Sequence, residues 1–229
     1  MSTLADRLSD VKTRVASAAK KHNRSADEIT LIVVSKNHPA QLVVDLLNLG
    51  QLDFGENKDQ EAAPKAIEVA ELAPDKHANW HFVGQLQSNK VRSVIGYATS
   101  IHSLDRPSLL TELNKQLAKQ EAKRLSVFIE LNLTADQNRG GVSPDGLEEF
   151  AVQVLNSPQL DLLGVMGVAS LDGSPEADFE RIAKASQRLQ QLNPQAKFIS
   201  AGMSADFELA IGYGATHIRV GTAITGKRE

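Results

Sequence analysis
The chain has 229 residues, 41% of them hydrophobic, a net charge of −3 and no cysteine. That charge argues against nucleic acid or an anionic membrane as the main partner, because both select strongly basic surfaces. The missing thiols exclude disulfides, cysteine nucleophiles, zinc–thiolate sites and iron–sulfur clusters, and they fit a reducing compartment.

Residues 3–21 place Leu4, Leu8, Val11, Val15 and Ala18 at steps of three and four, the spacing of an amphipathic helix. No signal-peptide core or membrane-length apolar run is seen there or later, so the cytoplasm is the expected location. Ser25 and Glu28 form an S-x-x-E capping box for a short turn. Thr30 to Ser35 is an apolar, β-branched run of the kind found in strands buried on both faces. Pro39 to Leu49 reads as a helix stopped by Gly50. Asp53 to Gly55 is strand-like, 58–72 helical, Trp80 to Val83 a strand, 88–95 a short helix and 99–104 a strand. Pro107 opens a helix with Leu109, Leu110, Leu113 and Leu117 on its apolar face. Leu125 to Leu133 reads as a long strand. Ser143 before Pro144, and Ser174 before Pro175, place a cap ahead of a first-turn proline. Between and after them come strands at Leu160–Ala169, Lys197–Ser200 and His217–Val220, and a helix at 205–212.

Eight strands alternating with helices imply parallel pairing and an α/β architecture. We expect a (β/α)8 TIM barrel preceded by an extra N-terminal helix, with residues 1–229 forming a single domain; the length suits that fold. An open doubly wound sheet is the alternative. It is disfavoured by the strand count and by the lack of a G-x-G-x-x-G after the first strand.

Chemistry in such barrels gathers at the C-terminal strand ends. Here those ends carry Lys36, Glu56 and Asn57, His81, His102 and Asp105, Glu130 and Asn132, Met166, the segment Ser200–Ser204, and Arg219 to Thr222. Lys36 follows an apolar run. It is either a lysine snorkelling out of a strand end or one pressed into an apolar floor, where desolvation would favour the neutral amine that attacks an aldehyde. SAGMSADFELAI and RVGTAITG are glycine-containing turns entering helices, where backbone N–H groups favour an anion. Together they describe a ligand with both a phosphate and a carbonyl. Arg219, between the two turns, is either a structurally paired arginine or a donor to the ring nitrogen of pyridoxal 5'-phosphate (PLP). An arginine cannot accept a proton, so it would keep that nitrogen unprotonated and the ring a weak electron sink.

The segments ITLIVVSKNHPA, DFGENKDQE, WHFVGQLQSNK, IHSLDR, LLGVMGVA, ISAGMSADFELAI and THIRVGTAITG occur in order across almost the whole chain. In them the sequence resembles the pyridoxal phosphate homeostasis proteins. The resemblance implies a barrel like the alanine racemase N-terminal domain (fold type III among PLP proteins) and PLP held as a Schiff base on Lys36. It also implies phosphate contacts from Ser200, Gly202, Ser204, Gly221 and Thr222, a ring-nitrogen contact from Arg219, and a pocket lined by Asn57, His81 and Met166. The implied role is intracellular PLP homeostasis, with apo PLP-dependent enzymes as recipients. Two departures stand out. Asn37 occupies the usual threonine position, and Arg139-Gly140-Gly141 replaces the usual K-x-G.

A small amino-acid racemase is the alternative function. It needs a proton donor on each face of the substrate. Racemases of this fold take the second from a tyrosine in a further domain that this chain lacks, and neither Tyr97 nor Tyr213 is well placed to replace it. No dedicated activity is therefore expected, and a monomer is expected because that domain usually forms the dimer. A class I aldolase would also use a barrel lysine, though typically on a later strand. His22, His38, His77, His81, His102 and His217 show no metal-binding spacing, so no metal is expected. Glu56 and Glu130 read as structural rather than as an acid–base pair, and Lys90 as either a rim residue for incoming phosphate or a helix-surface lysine.

Overall fold
The computed structural model describes residues 2–120, 123–134, 136, 139–170 and 174–226. Within them eight parallel strands close into a barrel in the order β1 to β8. The strands are β1 (Thr30–Val34), β2 (Asp53–Glu56), β3 (Asn79–Phe82), β4 (Ser100–Leu104), β5 (Leu125–Glu130), β6 (Leu160–Met166), β7 (Phe198–Ser200) and β8 (His217–Val220). Closure is made by β8 on β1, where Ile32 faces Arg219 and Val33 faces Val220.

Helices α2 (Ala40–Asn48), α3 (Asp59–Leu72), α4 (Val91–Tyr97), α5 (Pro107–Leu117), α6 (Leu147–Leu155), α7 (Pro175–Leu192) and α8 (Phe207–Gly212) surround the barrel. The expected N-terminal helix is α1 (Leu4–Lys21), capped by Thr3 and Asp6, and it packs against α8. Arg14 on α1 pairs with Glu208 on α8 at 2.5 Å. Ser25 and Glu28 make the expected capping box around a 3-10 turn.

Strand alternation sorts the core into two shells. Side chains such as Val33, Phe54, Val127 and Val165 point outward and join the helices in one apolar cluster. Ile32, Phe128 and Met166 are equally buried but lie apart from that cluster, in the barrel interior. Polar residues share the interior: Ser100, His102, Ser200 and Arg219 are all at most 5% exposed.

Several boundaries differ from the sequence reading. β5 ends at Glu130 rather than Leu133, because the chain beyond pairs with its own return: Val142 donates to Glu130 O and Asn132 to Val142 O, each at 2.8 Å. β6 ends at Met166, short of Ala169. A four-residue helix, α9 (Thr222–Thr225), follows β8 and was not expected. Among the described residues no helix is long and apolar enough to cross a membrane.

Candidate functional site
Lys36 lies in the turn two residues beyond β1, whose Ile32 and Val34 side chains meet at Gly55 of the next strand. The turn that carries it is held from several sides. Ser35 N–H donates to Gly55 O at 3.1 Å. Its hydroxyl donates to Glu56 Oε1 at 2.8 Å. Helix α3 holds both flanks: Lys65 Nζ donates to Ser35 O at 2.8 Å, and Glu61 accepts from Asn37 N–H at 3.0 Å. Asn37 has a φ of 59°. Asparagine adopts this left-handed conformation far more readily than a β-branched threonine, which gives the first departure a physical reason.

The side chain of Lys36 is exposed. The expectation of a lysine pressed into an apolar floor is therefore not met in this structure. The buried amine nearby is Lys65, which pairs with Glu56 at 2.6 Å; their side chains are 7% and 1% exposed. Glu56 thus points outward to α3, and its Oε2 has no hydrogen-bond partner among the described residues. It does not pair with Glu130, in keeping with a structural role.

The two glycine turns follow β7 and β8, and β8 is the barrel neighbour of β1. Gly202 has a φ of +92°, and an added Cβ would lie 2.7 Å from the Ala210 Cβ and 2.9 Å from the Phe207 Cα. Arg219 N–H donates to Gly202 O at 2.9 Å, locking this turn to β8. Gly221 N–H donates to the Ser204 hydroxyl oxygen at 3.2 Å, which joins the two turns and leaves the Ser204 hydroxyl proton to be donated elsewhere. A Cβ at Gly221 would sit 3.6 Å from Val34 O, so this turn lies against the strand that delivers Lys36. The amides of Gly202, Ser204 and Thr222 donate to no group among the described residues. With the exposed Thr222 hydroxyl they form a set of donors suited to a phosphate.

Ser200 lies below this cradle. It is fully buried, and its hydroxyl oxygen accepts from Arg219 Nη1 at 2.6 Å and contacts His102 Nδ1 at 2.8 Å. Arg219 also donates to Ser200 O at 2.9 Å and to Gly167 O at 3.0 Å. These bonds use three of the five guanidinium N–H donors; Nε–H and one Nη2 hydrogen remain. Burial lowers the guanidinium to about 10 against the opposing charges of Glu130 and Asp206, so it stays protonated at neutral pH. Glu130 shares the interior: burial, reinforced by Asp105, raises it to about 7, while Arg219 and Arg139 pull the other way.

Met166 is 2% exposed and registered with Glu130 and Ser200 at the mouth. Asn57 lies at the end of β2, where it helps line a groove of about 290 Å³ with Gln85, Gln87 and Lys90. Lys90 reaches Asp59 at 4.0 Å there. Tyr97 O–H is 3.5 Å from Asp59, and Tyr213 stacks on Phe179 at the far end of α8. The Arg139–Gly141 turn packs over the mouth: an added Cβ on Gly140 would be 2.9 Å from the Gln85 side chain.

His81 lies deeper than a pocket lining. Its Nε2 is 3.0 Å from Asp53 Oδ1, and its Nδ1 is 2.7 Å from the Ser100 hydroxyl and 3.0 Å from His102 Nε2. Sequence reading missed Asp53, Ser100 and Lys65. For the first two the signal was present, as polar residues alternating with Phe54 and Ile101 along their strands.

The chain matches the model for the alanine racemase N-terminal domain over residues 7–229. It is 38% identical to the pyridoxal phosphate homeostasis protein of Mycobacterium leprae, covering 98% of this chain and 93% of that one. It is 36% identical to the protein of the same name from Escherichia coli, covering 100% and 98%. Among solved structures it is similar to PipY of Synechococcus elongatus with PLP bound, at a TM-score of 0.83, 31% identity and coverage of 98% and 100%. The fold and site thus define a barrel of the alanine racemase N-terminal class, and at this level of identity the chain belongs to the pyridoxal phosphate homeostasis protein family within it.

Proposed function
We propose that this chain binds PLP as a Schiff base on Lys36 and takes part in intracellular PLP homeostasis, as its relatives' names state for them. The observation that carries the reading is the juxtaposition of an exposed strand-end amine with two joined glycine turns. An added Cβ on Gly221, in the second of these, would sit 3.6 Å from Val34 O on the strand that delivers the amine. The donor set fits the group. Gly202, Ser204, Gly221 and Thr222 would hold the phosphate, Arg219 would donate to the ring nitrogen, and Met166 and Asn57 would border the mouth. Ser200 and His81 would act from beneath, by fixing Arg219. The cofactor supplies a reactive aldehyde; the residues anchor and orient it. An unprotonated ring nitrogen suits storage and transfer better than carbanion chemistry.

We take residues 1–229 as one barrel domain acting as a monomer in the cytoplasm, passing PLP to apo PLP-dependent enzymes, without a dedicated reaction or a metal. The positions of Tyr97 and Tyr213, both away from Lys36, support this over the racemase alternative. Borohydride reduction of the PLP-loaded protein, followed by peptide mapping, tests the site. A pyridoxyl group on Lys36 is expected, and one on any other lysine overturns the assignment.

A further inference from the structure
A continuous line of polar groups, buried except at Asp53, runs down the barrel from Arg219 to Asp53. Its links are Arg219–Ser200 at 2.6 Å, Ser200–His102 at 2.8 Å, His102–Ser100 at 3.1 Å with His102–His81 at 3.0 Å, Ser100–His81 at 2.7 Å, and His81–Asp53 at 3.0 Å. One end is a guanidinium, which can only donate. The other is a carboxylate. Burial would raise Asp53, but its bonds from His81 and Asn79 and the nearby His217 hold it below its usual range, so it only accepts.

Fixed ends fix the direction of every link. Arg219 donates to the Ser200 oxygen, so the Ser200 hydroxyl must donate to His102 Nδ1. His102 then carries its proton on Nε2 and donates to the Ser100 oxygen. The Ser100 hydroxyl donates to His81 Nδ1, and His81 donates through Nε2–H to Asp53. The reverse order fails at Ser200. Its oxygen would accept from both Arg219 and His102, and among the described residues its own proton would have no acceptor unless Arg219 moved.

We propose that Asp53 is a positioning residue for Arg219, acting through His81, Ser100, His102 and Ser200, so that protonation at the closed end of the barrel is felt at the cofactor site. The inference rests on the reading of Arg219 as the ring-nitrogen donor. Asp53 stands where solvent can reach it. Its side chain is 26% exposed, and it lines a cavity of about 450 Å³ between α1 and the starts of β1 and β2. When acid adds a proton to His81, its Nδ1 turns from acceptor to donor. The order down the chain would then reverse: the Ser200 oxygen would accept from both Arg219 and His102, and its own proton would have no acceptor among the described residues unless Arg219 moved.

Other charges face these groups. His217 from β8 lies with its ring 6.5 Å from His81 and 6.1 Å from His102, but its Nδ1 is bonded to the Thr216 hydroxyl at 2.9 Å, outside the chain. Burial holds His102 well below its ordinary value, with His81, His217 and Arg219 adding to the effect, so it relays as a neutral ring. Glu130 from β5 and Asp206 from the loop after β7 face Arg219.

The test combines histidine ¹⁵N NMR of the cofactor-free protein with absorbance titration of the PLP-loaded protein. Near neutral pH, His102 should show a bare Nδ1 and a protonated Nε2. Asp53→Asn should give mixed tautomers at His102, which Asp53 does not touch. In the loaded protein it should move the acid midpoint of the visible band down by about one pH unit or more, the effect of removing an adjacent opposite charge. A protonated Nδ1 on His102 in the wild type overturns the proposal without any variant. A midpoint unchanged in folded Asp53→Asn also overturns it. A wild type that never colours with PLP contradicts the cofactor reading instead and leaves the NMR result to stand or fall separately.

Discussion

Replacing Lys65 with methionine removes the cation that faces Glu56 between the barrel and α3. Their atoms are 2.6 Å apart and both side chains are more than nine-tenths buried. Glu56 Oε2 is already without a partner, so the carboxylate left behind would have only the Ser35 hydroxyl. Breaking a buried ion pair on one side costs about 3–5 kcal/mol. In a chain of this size each kcal/mol lowers the melting temperature by roughly 2–4 °C, so Lys65→Met should melt some 6–20 °C below the wild type. The double variant Lys65→Met with Glu56→Leu should recover most of that loss, because no charge is left buried. Thermal and urea unfolding followed by circular dichroism measure both. A single variant losing less than about 1 kcal/mol, or a double variant no better than the single, would refute the reasoning. Lys65 also holds Ser35 O, one residue before Lys36, so the single variant should load PLP more weakly than its residual stability alone explains.

Gly202→Ala should cost about 2–4 kcal/mol, from a side chain in a left-handed conformation and from overlap with Ala210 and Phe207. It should also weaken PLP binding, read by fluorescence titration, whereas Gly221→Ala, with 3.6 Å of clearance, should leave stability within about 1 kcal/mol. Burial of His217, with His81 and Arg219 adding to it against Asp53, lowers it from 6.5 to about 4. The unfolded chain therefore takes up a proton that the folded one refuses, and stability should fall by about 3 kcal/mol as pH drops from 6.5 to 4. His217→Phe should flatten that slope in urea titrations. Glu130 works in the other direction. Raised from 4.5 to about 7, it contributes fully below 4.5 and loses that contribution as pH rises through about 7, so the stability of Glu130→Gln should change less as pH rises over that interval.

Strands such as β1 were readable because they are continuous apolar runs, and the number of strand segments and their alternation with helices pointed to a barrel. The capping box at Ser25 and Glu28 and the proline-started helices were readable from local chemistry alone. The end of β5 was not. Leu131 and Leu133 are both buried, so hydrophobicity runs past the point where the ladder stops, and the partner that ends it is the return segment at Val142. The helix after β8 is too short to show a period. At the mouth, Lys36 and the glycine turns could be placed because each lies at a strand end. The chain from Asp53 to Arg219 could not, because its members come from five strands and meet only once the barrel register is set. The same holds for Glu56 and Lys65, whose pairing depends on how α3 docks rather than on their spacing.

The central claim is that the amine of Lys36 carries the cofactor. Titrating wild-type protein and Lys36→Ala with PLP while recording the visible spectrum addresses it most directly. The wild type should develop a Schiff-base band that borohydride bleaches, with one pyridoxyl group retained per chain, and Lys36→Ala should develop neither. A band of equal intensity in Lys36→Ala, bleached in the same way, would contradict the account.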